Sequence, residues 1–348
     1  MIHAHVLDAW TLTSERKTLA FGYLNVLGGF AAPLFLWLAG VSLMLSAARG
    51  TARGRSRREV ALSIMRRGAG VFALAFIFRA QSFIVSPGNP LVSLLRVDIL
   101  NIMGPAIVVA AWLWWVSPGQ RAAALVCAAF GVALALVTPL ARSAEWVRVL
   151  PPAVQWYITP SGNHSTFTLL PWAGFVFVGA ACGAILSSAD PAREGRTMAQ
   201  MAGAGLLIAL ASYGFSLRPS IYTASSFWTT SPTYFGLRVG ILTMALTGLY
   251  AVAQVPLWMS AAWHALARFG QHSFFVYWIH VELVYGYATA PLHHRLALWG
   301  TGVAYILFTV LMYGAIGLRD RVVAWWRSRS GRPHLARATP HGHVAEMP

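Results

Sequence analysis

LGGFAAPLFLWLAGVSLMLSAARGTARGRSRREVALSIMRR, residues 27–67, decides the fold. Its first stretch, 27–46, carries no charge. About 20 apolar residues in a helix are what the hydrocarbon core of a bilayer demands. Seven arginines then follow: Arg49, Arg53, Arg55, Arg57, Arg58, Arg66 and Arg67. An uncharged run that ends in a cationic cluster is the pattern of a span emerging on the cytoplasmic side.

The same pattern extends in both directions. Nine apolar runs qualify as spans: 28–47, 68–84, 99–116, 122–140, 169–187, 198–216, 233–255, 272–291 and 296–317. Several hold Gly or Pro, which membrane helices tolerate. Composition agrees, because 57% of the chain is hydrophobic and only 10% is charged. Soluble domains carry about 25% charged residues, so this chain cannot cover a water-facing surface. The expected fold is all-α, a polytopic transmembrane helical bundle of about nine spans. It is expected to occupy 1–318, followed by a basic cytoplasmic tail, 319–348, disordered at its end.

Arginine placement sets the orientation. Seventeen of the 26 Lys and Arg fall in the connections after alternate runs and in the tail. Those segments, and the C-terminus, are expected on the cytoplasmic side of the inner membrane. The net charge of +16 is therefore topology and does not imply nucleic acid as a partner. Nine spans place residue 1 outside, and MIHAHVLDAW reads as the last turn of a helix. A preceding first helix is expected, for ten spans in all. The outer connections 1–27, 85–98, 141–168 and 217–232 are rich in Pro, Ser, Thr and aromatics. Trp146, Trp156, Tyr157, Trp172, Tyr222, Trp228 and Tyr234 suit an interfacial belt. Cys127 and Cys182 lie in apolar runs, so no disulfide, zinc site or thiol chemistry is expected.

Ionisable residues at or inside a span are functional candidates, because each costs several kcal/mol unless paired or hydrated. His5 and Asp8 share a face if helical, and a carboxylate beside imidazole raises its basicity. Arg96 and Asp98 stand at the outer mouth of the third run, where they bind substrate, brace each other or cap the helix; Asn101 lies one turn on. Arg238 and Glu282 sit within spans and could pair. His280 lies about 12 Å deep, on a face with Tyr277. His164 lies in an outer loop. His334, His341 and His343 have no spacing that argues for a metal, and no metal site is expected. His5, Arg96, Asp98 and His280 are expected to border one cavity.

Four stretches together carry a family likeness: LGGFAAPLFLWLAGVSLMLS (27–46), LLRVDILNIMG (94–104), LLPWAGFVFVGAACG (169–183) and LARFGQHSFFVYWIHVELVYG (266–286). With these the chain resembles the heparan-α-glucosaminide N-acetyltransferase catalytic domain family and its bacterial membrane relatives. They are distant kin of membrane polysaccharide acyltransferases. The resemblance implies acyl transfer across a membrane, with acetyl-CoA or another acyl-CoA as co-substrate. The acceptor would be the amine or hydroxyl of a sugar or glycoconjugate on the outer side. It further implies that His5 is the transfer histidine; on the acyl-transfer reading Asp8 would orient it, and Arg96, Asp98, Asn101 and His164 would hold the acceptor. Arg238, Tyr277, His280 and Glu282 would line or brace the channel. Eukaryotic members carry their active histidine between the first two helices, where this chain reads TSERKTLAFGY (13–23) with no histidine. The remaining partners expected are the lipid bilayer and, as a further arrangement, a second copy in a homodimer. Two other readings stay open: a transporter of small molecules or lipid-linked sugars, and a non-catalytic envelope protein. Internal repeats, common in transporters, are not visible.

Overall fold

The computed structural model describes residues 1–85, 90–254 and 260–329. Thirteen α-helices run through them: α1 (Ile2–Trp10), α2 (Leu19–Gly28), α3 (Ala31–Ala52), α4 (Arg57–Val85), α5 (Ile99–Val116), α6 (Gln120–Ser143), α7 (Pro152–Gln155), α8 (Leu169–Ser187), α9 (Glu194–Ser216), α10 (Pro232–Ala253), α11 (Ser260–Gln271), α12 (Ser273–Tyr285) and α13 (Leu298–Arg329). Among the described residues the only β pairing is two isolated bridges, Thr11 with Leu296 and Val97 with Ser165. The protein is a polytopic helical membrane bundle.

Among the described residues, eight of the nine expected runs overlap segments long and apolar enough to cross a bilayer. The exception is 272–291. Its helix, α12, has 13 residues. Gly286 ends it in an extended conformation, and a 3-10 turn holding Pro291 follows. A Cβ on Gly286 would run into the Glu282 carbonyl, so the sharp exit needs glycine. Mean hydropathy registers the apolar side chains but not this break. The stretch 1–27, expected as a connection, holds α1 and nearly all of α2. The end of the tail, with His334, His341 and His343, lies outside the described residues.

Glycine brings the spans together. A methyl group on Gly40 of α3 would strike the Val176 carbonyl of α8, and one on Gly179 would strike that of Trp37. Gly183, one turn further, would place its Cβ 2.6 Å from the Val41 carbonyl. The same arrangement recurs where α4 crosses α5 at Gly68 and Gly104, α6 crosses α8 at Gly131 and Gly174, and α9 crosses α10 at Gly205 and Gly240. In lipid, helices lack a hydrophobic drive to associate, so close backbone approach and van der Waals contact must supply it. The lipid-facing sides keep large apolar residues exposed, among them Leu125, Leu207 and Leu307. Part of the arginine cluster is structural. The Arg57 guanidinium donates to the Trp114 and Ser117 carbonyls, where the negative end of α5 favours a cation.

The buried apolar residues form two clusters. The larger joins α3, α4, α5, α6, α8 and α10, with Met201 of α9 and Tyr277 of α12, around Trp37, Met44, Trp114 and Phe175. The smaller joins α1, α12 and α13 through Val6, Trp10, Val284, Phe308 and Met312. Trp156 and Tyr234, expected in the interfacial belt, are buried, because His164 stacks on the first and Arg238 covers the second.

Candidate functional site

A cavity of about 460 Å³ opens where the two clusters meet. From the smaller side come His5 and Asp8 of α1 and Glu282 and Tyr285 of α12. The larger side contributes Arg79 of α4, Arg96 and Asp98 ahead of α5, Trp172 of α8 and Arg238 of α10. Tyr277 also lines it.

His5 and Asp8 share a face of α1, yet they meet through a third residue. The Tyr285 hydroxyl lies 3.1 Å from His5 Nδ1 and donates to Asp8 Oδ2 at 2.9 Å. A phenol has a single hydrogen. With that hydrogen on Asp8, Tyr285 accepts from Nδ1–H, which leaves His5 Nε2 unprotonated. Arg16 fixes the far end, donating to Asp8 Oδ1 at 2.7 Å and to the Asp8 carbonyl at 3.2 Å. The imidazole belongs to α1, outside the eight spans. Burial lowers its pKa, against a smaller upward pull from Asp8. It is therefore a neutral acceptor at physiological pH.

Asp98 is the N-cap of α5, and its backbone N–H donates to Asn101 Oδ1 at 2.9 Å. Asn101 in turn donates to the Tyr157 hydroxyl at 3.3 Å and does not line the cavity. The Asp98 carboxylate pairs with Arg79 and stands 4.0 Å from Arg96 Nε. Arg96 donates to Thr166 Oγ1 at 2.8 Å; its burial lowers its pKa. Arg79 is absent from the sequence-based candidates, although one signal points to it: it is the only charge between 68 and 85. Tyr285 and Arg16 leave no comparable signal as partners of Asp8.

Several expectations need correction, Asn101 among them, since it lies outside the cavity. Arg238 and Glu282 line the same cavity without pairing; Arg238 donates to the Tyr234 hydroxyl at 2.7 Å instead, because tyrosine lies one helical turn before it. His280 does not border the cavity with His5, Arg96 and Asp98. It is buried, with Nδ1 at 2.6 Å from the Val276 carbonyl and its ring 5.2 Å from that of His5. His164 is also apart, stacked on Trp156 at 4.6 Å, where its backbone carbonyl accepts from Val97 N–H at 2.9 Å. Among the described residues no group of three or more His, Cys, Asp or Glu could hold a metal.

The pattern of "Heparan-alpha-glucosaminide N-acetyltransferase, catalytic" matches residues 1–222. The chain belongs to this family. No curated protein matches it. Within the matched part lie His5, Asp8, Arg16, Arg79, Arg96, Asp98 and Trp172; Arg238, Tyr277, Glu282 and Tyr285 complete the cavity from beyond it. The family marks the chain as a membrane transferase of the acetyltransferase kind.

Proposed function

We propose that the protein moves an acetyl or other acyl group from cytoplasmic acyl-CoA to a sugar amine or hydroxyl on the outer side of the inner membrane. The C-terminus would lie in the cytoplasm. The observation that carries the reading is the His5–Tyr285–Asp8 chain at the cavity wall in a member of this family. His5 Nε2 takes the proton from the acceptor as its oxygen or nitrogen bonds to the thioester carbonyl carbon. The C–S bond then breaks, and the CoA thiolate leaves and recovers the proton from the imidazolium. Tyr285 and Asp8 hold the ring in the tautomer this requires. Arg79 and Arg96, anchored by Asp98, supply positive charge near the polar acceptor.

The direct test is acetyl-CoA binding and consumption by the purified protein in nanodiscs. Saturable thermal protection, with acyl transfer to an added amino sugar, is the expected result. A folded protein that neither binds nor consumes acetyl-CoA, yet carries sugar across a vesicle membrane, would instead be a transporter.

Two readouts probe the histidine. Because burial lowers its pKa, activity limited by His5 protonation should persist below the unperturbed histidine value of about 6.5, falling only at more acid pH as Nε2 is protonated. A limb centred near the unperturbed histidine value of about 6.5 would exclude His5 in this environment as the base. Tyr285→Phe removes the bridge to Asp8 and should lower kcat about tenfold or more, with KM little changed. An unchanged kcat would show the bridge to be idle.

A further inference from the structure

The charges around the cavity do not balance. Asp8 is neutralised by Arg16, which stands outside the lining. The other charged side chains in the wall are Arg79, Arg96 and Arg238 against Asp98 and Glu282, three cations to two carboxylates. Arg79 and Arg96 share Asp98. Arg238 has no carboxylate within 4.0 Å among the described residues. Its guanidinium lies 3.9 Å from the Tyr234 ring centroid and 5.7 Å from that of Trp172. Nη2 is bonded to the Tyr234 hydroxyl, while Nε is buried with no hydrogen-bond partner. Gly29 lies beside it: a Cβ there would sit 3.5 Å from Arg238 Nη2, an ordinary contact distance. An aromatic-flanked guanidinium facing a cavity, with its donors incompletely used, is a receptor for a planar or tetrahedral anion.

We infer that the cavity takes an anionic ligand group, a carboxylate or phosphate, against Arg238. The inference deepens the transfer reading and rests on it for the identity of the two ligands. The anion belongs either to an acidic sugar acceptor or to the phosphates of the acyl-CoA donor. In the first case Arg238 sets acceptor specificity; in the second it seats the donor.

Saturation-transfer NMR on the full chain in nanodiscs separates these cases. Glucose, glucuronate and glucose 6-phosphate are titrated in one arm and acetyl-CoA in the other, against wild type, Arg238→Gln and Gly29→Asp. The glycine variant keeps Arg238 but sets a carboxylate beside it, so it tests the same charge if the glutamine variant fails to fold. For an acceptor anion, an acidic sugar binds wild type about tenfold more tightly than glucose, and either variant erases the gap while acetyl-CoA binds as before. For a donor anion, the sugars are not discriminated and either variant weakens acetyl-CoA about tenfold. The inference is overturned if folded variants change neither arm, or if the preference for acidic sugars survives in both. Failure of wild type to bind acetyl-CoA would count against acyl transfer alone, because the sugar arm reads the anion site independently.

Discussion

Replacing His5 by Ala is expected to cut acyl transfer by roughly two to four orders of magnitude, the usual contribution of a positioned general base. The acceptor would still reach the cavity, since Arg79, Arg96, Asp98 and Trp172 are untouched. Acetyl-CoA binding should therefore persist while turnover is lost. Truncation also removes ring contacts with Tyr285 and His280, 5.5 and 5.2 Å between centroids, so thermal stability of the purified variant must be measured beside activity. A well-folded His5→Ala protein retaining a tenth or more of wild-type activity would remove His5 from the mechanism. Asp8→Asn offers a graded comparison. It keeps an acceptor for the Tyr285 hydroxyl but loses the charge, and its kcat should fall between those of wild type and His5→Ala.

The largest stability effect is expected at the α3–α8 crossing. Gly179→Leu would drive a side chain into the Trp37 backbone, which no rotamer can relieve. Overpacking a core commonly costs about 1–3 kcal/mol, and backbone clashes that force two spans apart belong at or beyond the upper end. Little monodisperse protein should survive extraction, and what survives should unfold at lower denaturant. Gly203→Leu is the matched control. A Cβ there meets nothing within 4 Å, so a leucine on that side of α9 meets lipid and should be neutral. Equal stability of the two variants would mean that the glycine crossing does not hold α3 to α8.

Apolar run length and arginine placement make the bundle legible, because both are imposed by the bilayer on any sequence that crosses it. They cannot reveal the break at Gly286, which depends on backbone geometry. The site divides in the same way. His5, Asp8, Arg96, Asp98 and Arg238 stand out as charges in an apolar setting, and the fold sets all five around one cavity. Their partners do not stand out. Tyr285 reaches Asp8 across 277 positions of chain, a separation at which local spacing carries no information. An Arg238–Glu282 pairing rests on opposite sign alone, and Tyr234, one turn away on the same helix, takes one donor of the arginine instead.

The meeting of two apolar clusters at the cavity has a mechanical consequence. The histidine chain rides on one body, and most of the cationic wall rides on the other. Side chains of α12 and of the residue before α1 join them: Tyr277 lies against Phe35 and Phe78, at 5.9 and 6.0 Å between centroids, Trp278 meets Phe78 at 5.0 Å and donates to Gln81 at 2.8 Å, and Met1, Phe274 and Val281 pack against the larger cluster. A base and a cationic wall carried by different clusters would be brought to their working distance only as the two clusters close on a ligand. A small rotation would change the gap between base and acceptor without disturbing either body internally. Spin labels on α4 and α13 should then report a ligand-dependent distance, whereas labels on α3 and α8, locked by glycine, should not move.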